Sequence, residues 1–237
     1  MTARTVLVTG FEPFGGARRN PSWDVAQALA GDGADDQVPG REPGVLDTRV
    51  VARRLPVTFG GVRPALAAAI VEVEPAVVLS LGLAAGRGRV EVERVAVNLA
   101  HARIPDNDGA APREEAVRPG GPDGFLTRLP VARILADARG RGLAVADSLT
   151  AGAYVCNATM YHLLDLTAGS GVVAGFVHVP ATGTDSLADH DPLAASVPLV
   201  PLDDVVAAVR AVLASTLTAL AGPERATLDA TAGVATC

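Results

Sequence analysis

Cysteine is nearly absent: 237 residues contain two, Cys156 and Cys237, the latter at the last position. Two cysteines cannot build a disulfide framework, which points to a reducing compartment and a cytoplasmic protein. Aromatic residues make up only 3% of the chain, so each one needs a reason for being where it is. Positive charge is short: 20 Lys and Arg stand against 26 Asp and Glu, a formal net charge of -6. That balance argues against nucleic acid or an anionic membrane as the main partner. Long apolar runs are also missing. The N-terminal run is three residues, too short for the apolar core of a signal peptide. No window is expected to reach the ~18 apolar residues of a membrane helix. Neither a Gly-Lys-Ser/Thr phosphate loop nor a G-x-S-x-G elbow occurs. Four histidines, His101, His162, His178 and His190, show no ligand spacing, so no metal is expected.

Hydrophobic residues, by contrast, make up 49% of the chain, ample for one large core. Val6–Thr9 reads as a buried strand that ends in the turn Gly10–Gly16. Asn20-Pro21-Ser22 opens a helix with Ser22 as cap and Trp23, Ala26 and Leu29 or Ala30 facing inward. Residues 31–47 read as a surface loop. A second strand is expected over Thr48–Phe59, interrupted by Pro56, and a helix over Ala65–Glu74. Ala76–Leu81 is an entirely apolar third strand, followed by the loop Gly82–Gly88.

Arg89–Ala100 is strand-like, but its alternation slips, which a bulge near Glu93 and Arg94 would reconcile. His101–Phe125 is a long polar loop with four prolines. A helix from Pro130 to Gly140 or Gly142, strands over Leu143–Asp147 and Gly171–Val179, and a helix from Pro201 to about Leu220 complete the pattern. Alternating strands and helices predict a single α/β domain over 1–221: a three-layer α/β/α sandwich with a mostly parallel, mixed sheet. A tail over 222–237 follows. Ligand sites in such sheets form at the carboxyl ends of strands, where the Gly10–Gly16 and Gly82–Gly88 loops would lie.

Cys156 sits where small residues lead into an amphipathic run, Ala158–Leu166. A cysteine at a helix start meets unpaired N–H groups and the positive end of the helix dipole, and both favour the thiolate. A lone cysteine is more often an inert small hydrophobe. His178 lies in an apolar strand run, where an imidazole needs a polar partner, which makes it a candidate general base. Either Glu91 or Glu93 could orient that histidine. Phe11 and Phe14 occupy a turn rigidified by glycines and Pro13, which suits a flat, partly apolar ligand.

Five motifs occur in order: T-G-F-E-P-F-G-G with N-P-S-W (Thr9–Gly16, Asn20–Trp23), E-R-V-A-V-N (Glu93–Asn98), A-R-I-P-D-N (Ala102–Asn107), T-A-G-x-x-V-C-N (Thr150–Asn157) and G-F-V-H-V-P (Gly175–Pro180). Together they resemble the type I pyroglutamyl peptidases, the pyrrolidone-carboxylate peptidase family of cysteine peptidases, from about Val6 to Pro180. The resemblance implies Cys156, His178 and Glu93 as the catalytic groups, choosing Glu93 over Glu91. It implies Phe11, Phe14, Ile104, Tyr154 and Val155 as pocket walls. Arg103 and the Cys156 backbone N–H would hold the oxyanion. Substrates would be peptides with an N-terminal pyroglutamate, cleaved without cofactor or metal, by an enzyme that is often a homotetramer among bacterial relatives.

Three positions depart from the family pattern: Leu83 stands where glutamine is frequent, Val57 where threonine is, and Tyr154 where phenylalanine is. Beyond Pro180 the match fades at Ala181–Asp185. Two other readings compete: a relative whose pocket has drifted to another blocked N-terminus or lactam, and a non-catalytic ligand-binding α/β module.

Overall fold

The computed structural model describes residues 4–31, 48–183, 196 and 199–222. The expected loop over 31–47 lies almost wholly outside them. So do most of the 222–237 tail, His190 and Cys237. The elements in order are β1 (Arg4–Phe11), α1 (Pro21–Gly31), β2 (Thr48–Leu55), α2 (Phe59–Val73), β3 (Val77–Leu83), β4 (Val90–Glu93), β5 (Val95–Val97), β6 (Gly124–Leu126), α3 (Val131–Gly140), β7 (Val145–Ser148), α4 (Val155–Leu166), β8 (Val173–Val179) and α5 (Leu202–Ala221).

Six strands form the central sheet in the order β2-β1-β3-β8-β4-β7. The first four run parallel, β4 is antiparallel to β8, and β7 is parallel to β4. The mostly parallel, mixed sheet expected from the sequence is what the chain builds. Strand alternation sorts the side chains into two cores. Val6, Val8, Leu79, Val177 and Val92 face α1, α3 and α5. Leu7, Val78, Phe176 and Ala174 face α2 and α4. Glu91 and Glu93 share parity on β4, and His178 shares parity with Phe176 on β8. All three therefore emerge on the α2/α4 side.

Several local expectations change. Ser22 is not the cap of α1: the Asn20 side chain accepts from the Ser22 N–H at 3.2 Å, and Ser22 Oγ serves the Phe11 N–H at 2.9 Å. The second strand stops at Leu55, before Pro56, and α2 begins at Phe59 rather than near Ala65. Thr58 sets that start by accepting from the Gly61 N–H at 3.1 Å. Pro64 lies inside α2, and the carbonyl it leaves unbonded is that of exposed Gly60.

The slip in alternation after Glu93 is a change of sheet, not a bulge. Arg94 donates its N–H to the Ser148 carbonyl, and its own carbonyl accepts from Thr127, so β5 pairs antiparallel with β6 in a separate ribbon. The long polar loop is knit together rather than open. Ala100 bridges Glu115, and the Asp106 carboxylate caps the N–H groups of Asp108, Ala110 and Phe59.

The final helix corrects the expectation about membrane windows, because α5 is long and apolar enough by length and composition to cross one. Val205, Val209, Val212 and Leu217 nevertheless lie buried in the core with β1 and β3, as in the core helix of a globular domain.

Candidate active site

The site begins with alternation on β4 and β8. Glu91 stands opposite His178, and Glu93 opposite Phe176, so Glu93 reaches His178 along the diagonal. His178 Nδ1 donates to Glu93 Oε1 at 2.7 Å, and both side chains are buried. With Nδ1 engaged, the ring's other nitrogen is left for Cys156, which hydrogen-bonds the imidazole. The three residues expected to act together do meet in one chain of contacts. Glu93 is not an exposed edge charge, because β7 covers β4 on its far side.

Cys156 is the second residue of α4, whose cap position, Tyr154, is extended and supplies no side-chain hydrogen bond. The helix start is held instead by its next residue. Asn157 Oδ1 accepts from the Val97 N–H at 2.9 Å, and its amide donates to the Val97 and Leu99 carbonyls, both at 2.9 Å. Gly82, opposite His178 on β3, clears the space for the sulfur. A Cβ there would lie 2.9 Å from Cys156 Sγ and 2.6 Å from the Phe176 ring.

Burial pushes the His178 imidazolium towards losing its proton, but hydrogen bonds and charge from Cys156 and Glu93 outweigh it and lift the pKa to about 9. Burial likewise pushes the Glu93 carboxyl up, and the bond to His178 outweighs it, with smaller contributions from Ser148 and Arg87, so Glu93 titrates below its usual range. Ser148 Oγ is near, yet its own hydrogen goes to the Thr150 carbonyl at 3.1 Å, which leaves Glu93 Oε2 buried without a partner. Arg87 also reaches this carboxylate, with Nη1 2.6 Å from Glu93 Oε1.

In front of the sulfur opens a cleft of ≈ 1030 Å³, lined among others by Phe11, Phe14, Arg103, Ile104, Tyr154, Val155 and Cys156. Every predicted wall residue and Arg103 thus border it, while Glu93 and His178 stand behind Cys156. Phe11 and Phe14 do not stack on each other as a lid. Phe11 is buried and tilts against Phe176 at 6.5 Å, and Phe14 packs on Tyr154 at 5.4 Å. Tyr154 also meets Phe59 edge-on, and its hydroxyl donates to the Pro105 carbonyl at 3.1 Å.

Sequence reasoning missed His101 as a cleft residue, and Arg87 and Asn157 as supports; Leu83, noted only as a departure from the family pattern, also borders the cleft. Arg87 carried no local signal, because four-residue spacing pairs side chains on a helix and Arg87 lies in the connection to a strand. His162 lies away from the cleft, held at 3.4 Å by Arg63. Among the described residues no cluster of His, Cys, Asp and Glu could hold a metal.

A family model described as pyroglutamyl peptidase matches residues 4–219. The chain belongs to the pyroglutamyl peptidase family. It is an enzyme of the pyroglutamyl-peptidase I type, in a family of cysteine peptidases. A pyrrolidone-carboxylate peptidase of Cupriavidus pinatubonensis is 41% identical over 217 residues, covering 90% of this chain and 93% of that protein. One from Clavibacter michiganensis is 42% identical over 219 residues, covering 90% and 92%. The crystal structure of Bacillus amyloliquefaciens pyroglutamyl peptidase I superposes with a TM-score of 0.78 at 33% identity, covering 91% of this chain and 97% of that one. A mutant pyrrolidone carboxyl peptidase of the hyperthermophile Pyrococcus furiosus gives the same TM-score and identity, covering 91% and 99%.

Proposed function

We propose that this chain removes an N-terminal pyroglutamyl residue from peptides, with Cys156 as nucleophile, His178 as acid and base, and Glu93 as the group that orients the imidazole. The observation that carries this is the Glu93–His178 contact of 2.7 Å behind a cysteine that hydrogen-bonds the same ring. The Cys156 sulfur attacks the carbonyl joining pyroglutamate to the next residue, and His178 takes up the thiol proton. The tetrahedral oxyanion is held by the Cys156 N–H at the start of α4, with Arg103 beside it; removing one such donor typically costs about 10²–10³ in turnover. Collapse of the intermediate passes the His178 proton to the leaving amine. Water then attacks the thioester with His178 as base, releasing pyroglutamate and the free thiol.

The lactam is flat and uncharged, with one N–H and one C=O. Phe11 and Phe14 supply apolar surface for its ring, together with Ile104, Tyr154 and Val155. A charged N-terminus would enter a mainly apolar cleft in which the Asp106 carboxylate is already engaged by three backbone N–H groups, which disfavours free glutaminyl peptides. Leu83 borders the cleft where relatives often carry glutamine, which favours one second reading: a pocket shifted towards another lactam or blocked terminus.

Pyroglutamyl, prolyl and free-glutaminyl coumarin substrates separate the two readings. The main one expects cleavage of the pyroglutamyl compound alone, abolished in Cys156→Ser with the fold unchanged. A fully active Cys156→Ser enzyme rules out both. The reading also includes a cytoplasmic setting and a homo-oligomer, the latter tested by light scattering of the purified full chain.

A further inference from the structure

Arg87 lies in the connection between β3 and β4, and its contacts are those of a hub. Nη1 lies 2.6 Å from Glu93 Oε1 and 2.6 Å from Glu91 Oε2. Nη2 donates to the Thr150 carbonyl at 3.2 Å. One guanidinium thus joins the carboxylate behind the imidazole, a second carboxylate on the same face of β4, and the loop that runs into Cys156. An exposed ion pair of this kind would matter little. Here one partner is fully buried, and its remaining oxygen has no hydrogen bond.

The charge pattern explains why an arginine is required. Glu91 and Glu93 emerge two residues apart on one face, so their carboxylates repel. Arg89 reaches Glu91 at 3.0 Å but does not bridge the two. Asp147 on β7 is taken up by Arg94 at 2.6 Å. Among the described residues, the other ionisable groups facing Glu93 and His178 are Cys156 from α4 and Arg87 itself. Without Arg87 the Glu93 carboxylate would keep its hydrogen bond to His178 and the nearby Ser148 hydroxyl, but would lose the only other cation that reaches it among the described residues. A planar fork with several donors can span two carboxylates and a carbonyl, whereas an ammonium acts as a point charge.

We propose that Arg87 is a positioning residue for the triad: its guanidinium fixes the Glu93 carboxylate against His178 and fastens that carboxylate to the loop that delivers Cys156. The proposal rests on the peptidase reading above. Its effect falls on the chemical step and not on the cleft, because Arg87 is not among the residues that line the cleft.

The test compares the full-length wild type, Arg87→Met and Arg87→Lys on a pyroglutamyl-coumarin substrate. Rates are normalised to active sites counted by thiol alkylation. Arg87→Met is expected to lose about tenfold or more in kcat, with KM within about twofold. Its pH profile should move to higher pH, since removing a cation makes nearby protons harder to lose. Arg87→Lys should restore the position of the profile and only part of kcat.

Unchanged kcat and profile in Arg87→Met, beside an active wild type, overturn the proposal alone. A wild type inactive on this substrate overturns the peptidase reading and the proposal with it. Should Arg87→Met be insoluble, Arg87→Lys decides. Reduced kcat at unchanged KM and melting temperature supports the proposal, and a wild-type kcat overturns it.

Discussion

At His178 two effects of opposite sign act on one proton. Burial favours the neutral ring, while Glu93 and Cys156 favour the cation and prevail, with a pKa of about 9. At neutral pH the ring carries the proton that the leaving amine needs. The alkaline limb of kcat/KM should therefore lie near pH 9, where that proton is lost. Glu93→Gln replaces the carboxylate with a neutral amide, so the imidazolium loses part of its stabilisation. The limb should then move to lower pH, and kcat should fall by about 10² or more. A pH–rate profile of both proteins checks this, and a limb that stays in place counts against the assigned contact.

The oddity of both residues was visible in the sequence, as ionisable groups in apolar runs. Their pairing was not, because Glu93 and His178 are 85 residues apart and only the antiparallel register of β4 and β8 brings them together. Spacing left Glu91 and Glu93 equivalent. The geometry shows the distinction: both meet Arg87, but Glu93 alone bonds the ring, while the second partner of Glu91 is Arg89.

At the scale of elements, the position of the sulfur is decided by how the start of α4 is held. No side chain caps it, and Asn157 ties it to Val97 of β5 through two hydrogen bonds and to Leu99, just past that strand, through a third. Asn157→Ala would leave the Val97 N–H and the Val97 and Leu99 carbonyls without these partners. A buried polar group left unpaired costs about 1–3 kcal/mol, but Val97 and Leu99 are both exposed enough for water to replace part of what is lost, so the expected total loss is about 1–2 kcal/mol. Urea unfolding measures it, and a loss below about 0.5 kcal/mol would mean that the helix start is held by something else.

Periodicity identified α4 from Ala158 onward and α5 almost to its end, because both carry strong apolar stripes. It failed where tertiary partners decide. Apolar residues on both sides of Pro56 suggested one long strand, yet Thr58 caps a helix there. The slip after Glu93 was correctly seen and wrongly explained, because a bulge and a change of sheet leave the same mark on alternation. Which of the two occurs depends on Thr127 and Ser148, far along the chain.

Over the whole molecule, two buried histidines give stability a pH optimum. His162 on α4 is nearly inaccessible, and its pKa falls to about 4. Burial is the main cause, with Arg63 next and Arg118 adding to it, while Asp165 opposes them. Its folded value lies below the ordinary 6.5, so the unfolded chain binds the extra proton first. Stability is lost as pH falls from about 6.5 towards about 4, by up to about 3 kcal/mol from this group. Glu93 adds to the loss below the ordinary carboxylate range, because its folded pKa is depressed.

His178 acts in the opposite direction. Its folded value lies above 6.5, so its contribution is complete below 6.5 and is lost as pH rises through about 9. Melting temperature against pH should therefore peak near 6.5 and fall on both sides. His162→Gln should flatten the acid side and leave the alkaline side as it was. Thermal melts of the two proteins from about pH 4 to about pH 10 measure this. An acid limb of equal depth in the variant would show that carboxylates alone cause the loss, and that His162 is either protonated in the folded protein or accessible to water.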